Sequence, residues 1–304
     1  MTTFDRFVTR IARTPPLSAA LVLGLGVLPV IDLLSGALLA LVVLWRGYLV
    51  ATVVGLTALA GFVVLGWASG SNPLTMLLQP FGGPLVIIWL PAFLLAVALR
   101  SSRSLAVMVT IGALVGCVAV IAQLTLIAHP LDVWHQLLAH ALAPLKDWKG
   151  LSAEQWNATL VAEAQLMPGM SAAGLMLAAG AMVLFARYLQ ARLLHPGAFG
   201  EEFRRLNLGR VVTVLGSLVL VGRLISPGLL LKNLAIVMLV MFAFQGFAVI
   251  HSFFHARHWP RAGLVVFYVL VALLPLILVG LVSGAGLVDN WFDFRRLRAP
   301  PPAT

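Results

Sequence analysis

Residues 233–255, NLAIVMLVMFAFQGFAVIHSFFH, decide how the rest of the chain is read. The stretch is apolar almost throughout and exceeds the roughly 20 helical residues that a bilayer's hydrocarbon core requires. It nevertheless carries Asn233, Gln245, His251 and His255. Polar side chains in a lipid-spanning helix are costly, so each needs a partner, water or a task. At about 100° per residue Asn233 and His251 share a face, and His255 lies about 40° round from them. Gln245 sits about 120° away and is followed at once by Gly246.

The surrounding composition agrees with a membrane span. The 304 residues are 61% hydrophobic and only 10% charged, with a mean hydropathy of +1.04. A soluble domain of this size carries about 25% charge. The reading is all-α: a polytopic transmembrane helical bundle forming a single membrane domain over residues 1–304. About eight or nine membrane segments are expected, the first two short, with amphipathic helices at the interface. The short alternating segments of a transmembrane barrel are absent.

The formal charge is +10, and arginine supplies most of it. The cations gather at the ends of apolar runs, as in cytoplasmic loops of a bacterial inner-membrane protein. Anionic lipid headgroups explain them better than nucleic acid does. The single cysteine, Cys117, lies in an apolar run and excludes an internal disulfide or a thiolate cluster.

In chain order, residues 1–16 form a basic interfacial leader with Phe4, Phe7, Val8 and Ile11 at helical spacing, ended by Pro15 and Pro16. The first apolar run reads as an uncleaved span. Residues 17–44 are too short for two full spans and are broken by Pro29, Asp32, Ser35 and Gly36. A hairpin of two short helices returns Arg46 to the side of the leader and also places Arg100 and Arg103 inside, with Asp32 near the tip or in a cavity. Further spans are read at 47–67, 84–99 with a kink at Pro91, 105–128 with Gln123 inside it, 169–189, 211–225, 229–254 and 263–283 with Pro275 at its middle. Residues 70–83 read as an external loop dipping into the membrane.

Residues 129–168 are the one long polar region and read as an external amphipathic pair of helices, the second opened by a Ser152–Gln155 capping box. Residues 187–210 are the strongest basic cytoplasmic loop. Residues 284–304 read as a basic, Pro-rich tail. Nine crossings from an inside N-terminus would leave that tail outside, while Arg295, Arg296 and Arg298 favour inside. One re-entrant segment, or a breach of the positive-inside rule, would be needed.

No catalytic constellation emerges. His251 and His255 stand i,i+4, a spacing that can chelate a metal, but no acidic residue lies nearby in sequence. They read first as boundary histidines. No Walker loop, Gly-x-Ser-x-Gly elbow or HExxH is present. Asp289 and Asp293 read as interfacial ion-pair partners. Arg223 and Lys232 either snorkel to headgroups or hold an anionic ligand. No enzyme activity, metal or cofactor is expected.

Three stretches are more specific together: Pro196-Gly-Ala-Phe199 with Phe203-Arg204-Arg205-Leu206; Gln245-Gly-Phe-Ala-Val249; and Gly286-Leu-Val-Asp289 with Trp291-Phe-Asp-Phe-Arg295. On these the chain resembles the YybS-like family of bacterial multi-spanning membrane proteins, a domain of unknown function. The resemblance covers the C-terminal half, and the N-terminal half by hydropathy. The family's hydropathy is similar to that of substrate-binding components of energy-coupling-factor vitamin transporters. The resemblance thus implies a compact bundle that binds a small molecule. Those components have about six spans, and no ligand-specific motif carries over.

Two functions follow as expectations. One is a small-molecule-binding transporter component, with Asp32, Gln123, Asn233, Gln245 and His251 as cavity residues. The other is a non-transporting scaffold or assembly protein acting through its interfacial helices and basic loops. In either case Arg192, Arg204, Arg205 and Arg210 are the candidate contacts to a membrane-protein partner, and membrane lipids surround the bundle.

Overall fold

A computed structural model of the chain describes residues 2–28, 31–70, 72, 88–145, 150 and 152–295. Among them the fold is all-helical. The helices are α1 Thr3–Arg13, α2 Pro15–Val27, α3 Leu33–Arg46, α4 Tyr48–Ala68, α5 Leu90–Ser102, α6 Leu105–Leu126 and α7 Pro130–Ala141. They continue with α8 Ala153–Ala164, α9 Met167–Leu194, α10 Ala198–Arg204, α11 Arg210–Ile225, α12 Leu229–Ala256, α13 Arg261–Leu273 and α14 Pro275–Phe292.

Five of these helices, α4, α6, α9, α12 and α14, are long and apolar enough to cross a membrane. This is fewer than the eight or nine segments expected. The shortfall is one of length: α2, α3, α5 and α13 are apolar but have only 13 or 14 residues. At about 1.5 Å per residue each reaches about 20 Å, against about 30 Å of hydrocarbon. Large apolar side chains stay exposed on the long and short helices alike, Leu224 at 86% and Leu276 at 82%. Such surfaces suit lipid rather than water, and the set fits a multi-pass membrane protein.

Pro91 and Pro275 each lie in the first turn of a helix. Pro91 follows a π turn at residues 88–89 that continues into α5, and the upstream part of its expected span, 84–87, lies outside the described residues. Residues 73–87, including most of the expected external loop at 70–83, lie outside the described residues. Pro275 does not kink one helix. It divides the expected span at 263–283 into α13 and α14, with Leu274 between them at φ −127° and ψ 54°. A proline lacks the amide hydrogen a helix interior needs and pushes its predecessor out of the α region. The second helix then runs on to Phe292, so residues 284–292 belong to a helix. Residues 296–304 of the expected tail lie outside the described residues.

The chain groups into two compact units. The first comprises residues 1–112, 175–208 and 247–264, the second residues 113–174, 209–246 and 265–304.

In the first unit α2 and α3 form the short pair expected at 17–44. Their packing depends on small residues beside one large ring. The Trp89 indole N–H donates to buried Ser35 Oγ at 2.7 Å, and a Cβ on Gly26 would stand 3.0 Å from the same ring. Gly36 is closer still, since a Cβ there would lie 2.4 Å from Met182 Sδ. The C-terminal carbonyls of α3, which a helix leaves without internal partners, are taken by distant residues. The Arg100 guanidinium donates to the carbonyls of Val43 and Leu44, and Gln190 Nε2 donates to that of Leu44 at 2.9 Å. The leader helix α1 opens on a reciprocal Thr2–Asp5 capping box. Hydrogen bonds from Thr2 hold the Asp5 carboxyl below its ordinary range, and Arg192, 3.4 Å away, adds to this.

In the second unit α12 and α14 run parallel. The Ser283 hydroxyl donates to the Leu239 carbonyl at 2.6 Å, Gly286 abuts Phe242, and Gln245 bonds Asp289. The offset is 44 residues in the two hydrogen-bonded pairs. Residues 257–274, which include α13, connect the two helices. Two parallel helices that both cross a bilayer end on the same side of it. Topology reporters fused after residue 259 and after residue 304 should give the same sidedness. Opposite sides would overturn the parallel arrangement.

Candidate functional site

Gln245 lies in the middle of α12 and is fully buried. Its amide nitrogen donates to Asp289 Oδ2 at 2.7 Å. Arg295, just beyond the end of α14, meets the same carboxylate with two nitrogens: Nη2 lies 2.7 Å from Oδ2, and Nε donates to Oδ1 at 3.3 Å. Such a fork is the strong geometry for an arginine–carboxylate pair. The Asp289 side chain is 0% exposed and that of Arg295 only 13%. The helices are close enough for this because glycines face one another. A Cβ on Gly246 would lie 1.9 Å from the Val282 carbonyl oxygen, and one on Gly286 would lie 2.1 Å from that of Phe242. Asn290 is buried beside Asp289 in sequence, and neither of its amide atoms has a partner among the described residues.

Further up α12, Asn233 and Gln123 both hold the first turn of α9. Asn233 Oδ1 accepts from the Gly169 amide at 2.6 Å, and its Nδ2 donates to the carbonyls of Gln165 and Leu229. Gln123 Nε2 donates to the Pro168 carbonyl, and its Oε1 accepts from Ser171 Oγ, each at 3.3 Å. Lys232 Nζ donates to Gln165 Oε1 at 2.9 Å. These bonds tie the end of the polar region at 129–168 onto the second unit. Gln245 is about 18 Å further along α12, at 1.5 Å per residue, and does not join them.

The other two candidates belong to the first unit. Asp32 caps α3, its carboxylate accepting from the Leu33 amide at 2.9 Å. His251 Nδ1 lies 2.9 Å from the Phe247 carbonyl, which can only accept, so that nitrogen carries the hydrogen. Its ring stands edge-on to Phe203, with centroids 5.2 Å apart. Phe203 stacks with Phe199, and Phe199 meets Tyr188. This ring series fastens the short helix α10 and so orders the basic loop. Among the described residues no three His, Cys, Asp or Glu side chains gather as a metal site would require.

The basic loop builds a cavity that the spacing of residues alone did not disclose. It measures about 540 Å³ and is lined by Leu44, Leu99, Arg100, Arg103, Arg187, Gln190, Leu194, His195 and Glu202. A second cavity of about 470 Å³ shares Arg103, Arg187 and Glu202, and adds Glu201 and Arg205. Arg187 Nε pairs with Glu202 Oε2 at 2.9 Å, and its Nη1 donates to Gln190 Oε1 at 2.7 Å. Arg103 ends α5 in the left-handed region at φ 54°. Its side chain has no hydrogen-bond or ion-pair partner among the described residues.

Of the arginines expected to contact a partner, Arg192 pairs with Asp5 and lies over the Phe4 ring. Arg204 is half-buried, and exposed Arg205 stands 3.9 Å from Glu201. Arg210 opens α11 and is exposed. The chain matches no family model, and no curated protein or solved structure matches it significantly.

Sequence reasoning did not select Asp289, Arg295, Arg103 or Arg187 as site residues. The available signal for Asp289 was its place at the end of an apolar run, three residues before the end of a helix that Pro275 begins.

Proposed function

We propose that the chain is a small-molecule-binding component of a bacterial inner-membrane transport system, of the YybS-like kind, and that its ligand is an anion. The observation that carries this reading is the 540 Å³ cavity walled by Arg100, Arg103 and Arg187 with Glu202 as its one acid. The volume lies in the range of small-molecule sites, about 300–1,000 Å³. The apolar Leu44, Leu99 and Leu194 give the organic part of a ligand a surface to cover. The ligand seat moves, on this reading, from the mid-membrane polar residues to the basic loop. Native mass spectrometry of the purified protein should show a co-purified anion that is lost in Arg103→Gln. A protein that carries no ligand and is stabilised by no anion would refute the reading.

A second reading, a non-transporting scaffold, is favoured by one observation. Gln123, Asn233 and Gln245 are all engaged in bonds within the chain. Crosslinking coupled to mass spectrometry separates the two, because a scaffold yields reproducible protein partners through Arg192, Arg204, Arg205 or Arg210 and no ligand.

A further inference from the structure

Resting on the anion-binding reading, we infer that the ligand presents a phosphate group and that Glu202 is its built-in competitor for Arg187. The geometry begins with Arg187, which stands in the wall common to both cavities. Its Nε edge is held by Glu202 and its Nη1 by Gln190. The Arg187–Glu202 pair is only partly buried, at 27% and 23% side-chain exposure. Such a pair contributes modestly and can be exchanged.

Arg103 also belongs to both cavities. It is held at a backbone conformation that costs a non-glycine residue energy, and its guanidinium makes no bond to a described residue. Arg100 spends one nitrogen, Nη1, on the two α3 carbonyls. Three arginines thus line the larger cavity with one carboxylate, and the surplus is positive.

A carboxylate offers two oxygens in a plane. A phosphate monoester offers three on a tetrahedron with up to two negative charges, and can take forked bonds from more than one guanidinium at once. It is the anion class that satisfies Arg103 and Arg187 together while giving Arg187 a stronger partner than Glu202. The leucines of the larger cavity lie near the ends of α3, α5 and α9. An ester's organic portion can cover them, whether it is a soluble metabolite or the glycerol backbone of a lipid.

The test uses the full chain in phosphatidylcholine nanodiscs, titrated with glycerol 3-phosphate, with succinate as the anion lacking phosphate. A parallel arm replaces part of the phosphatidylcholine with phosphatidic acid, a lipid phosphate monoester. Binding is read by calorimetry and by the shift in melting temperature. Glycerol 3-phosphate should bind more tightly than succinate. Glu202→Gln should tighten it on the order of tenfold and Arg103→Gln should weaken it by a similar factor. The glutamine keeps an acceptor for Arg187, and exposed Arg103 supplies a variant that does not depend on that pair. Stabilisation by phosphatidic acid alone, reversed by Arg103→Gln, also supports a phosphate group and assigns it to a lipid headgroup.

Affinity for glycerol 3-phosphate unchanged in Glu202→Gln overturns the competitor role. Succinate binding as tightly as glycerol 3-phosphate overturns the phosphate class and leaves the anion-binding reading standing. No response to any of the three probes removes both.

Discussion

Gly246→Ala should destabilise the protein by about 3 kcal/mol or more, while Gly284→Ala should be neutral or slightly stabilising. A Cβ on Gly246 would stand 1.9 Å from the Val282 carbonyl oxygen and 2.7 Å from its carbon. The obstacle is backbone, so no rotamer change relieves it, and α12 and α14 must separate. Overpacking alone costs about 1–3 kcal/mol. Separation also stretches the Gln245–Asp289 and Ser283–Leu239 hydrogen bonds, now 2.7 and 2.6 Å. A buried polar group left without its partner costs about a further 1–3 kcal/mol. Gly284 lies in the same helix, but a Cβ there meets nothing within 4 Å. There the substitution only improves helix propensity, by about 1 kcal/mol. Thermal unfolding in detergent, followed by fluorescence-detected size exclusion, measures both variants. Equal melting temperatures for the two would show that α12 and α14 are not in backbone contact.

The membrane class was legible because it needs only composition and run length. The short pair at 17–44 was legible as well, because Pro29 and Gly36 interrupt a run that cannot span twice. Position in the chain also singled out Gln245, since an amide in mid-membrane needs a partner. Its partner was not legible. Asp289 lies 44 residues on, and nothing in helical periodicity says that two helices pair in parallel rather than antiparallel. Asp289 and Asp293 looked alike in sequence, i,i+4 among aromatics and arginines. Packing separates them: Asp289 faces the Gly246–Gly286 crossing and is fully buried, while Asp293 terminates α14 with a positive φ. Pro275 misled for a related reason. A proline can kink a helix or start one, and the choice is made by what the following turn packs against. The cavity in the basic loop was hidden because its walls come from three separated stretches, near 44, 100 and 190. Arg100 read as one more inside charge, whereas its guanidinium closes the carbonyl end of α3.

Arg295→Ala should cost about 3–5 kcal/mol, more than Asp289→Asn, and the double variant should be more stable than Arg295→Ala alone. Removing the arginine leaves a carboxylate that is 0% exposed beside the Gln245 amide. Breaking a buried ion pair from one side carries the penalty quoted, because the surviving charge stays desolvated. The reverse change is gentler for two reasons. Asparagine at 289 keeps an oxygen that can accept from Gln245. The arginine it releases sits beyond the end of α14, where a long side chain can carry its charge out to headgroups and water. Once position 289 is neutral, deleting Arg295 strands no buried charge, so the two substitutions are strongly non-additive, with a coupling of about 1–3 kcal/mol. Melting temperatures of the four proteins in one detergent complete the cycle. Additive effects, or a milder cost for Arg295→Ala than for Asp289→Asn, would remove the buried pair from the account of this helix contact. If the predicted order holds, the ion pair's role is specificity more than stability: it fixes the register at which the Gly246 and Gly286 faces meet, since a slip of one residue would carry Asp289 away from both Gln245 and Arg295.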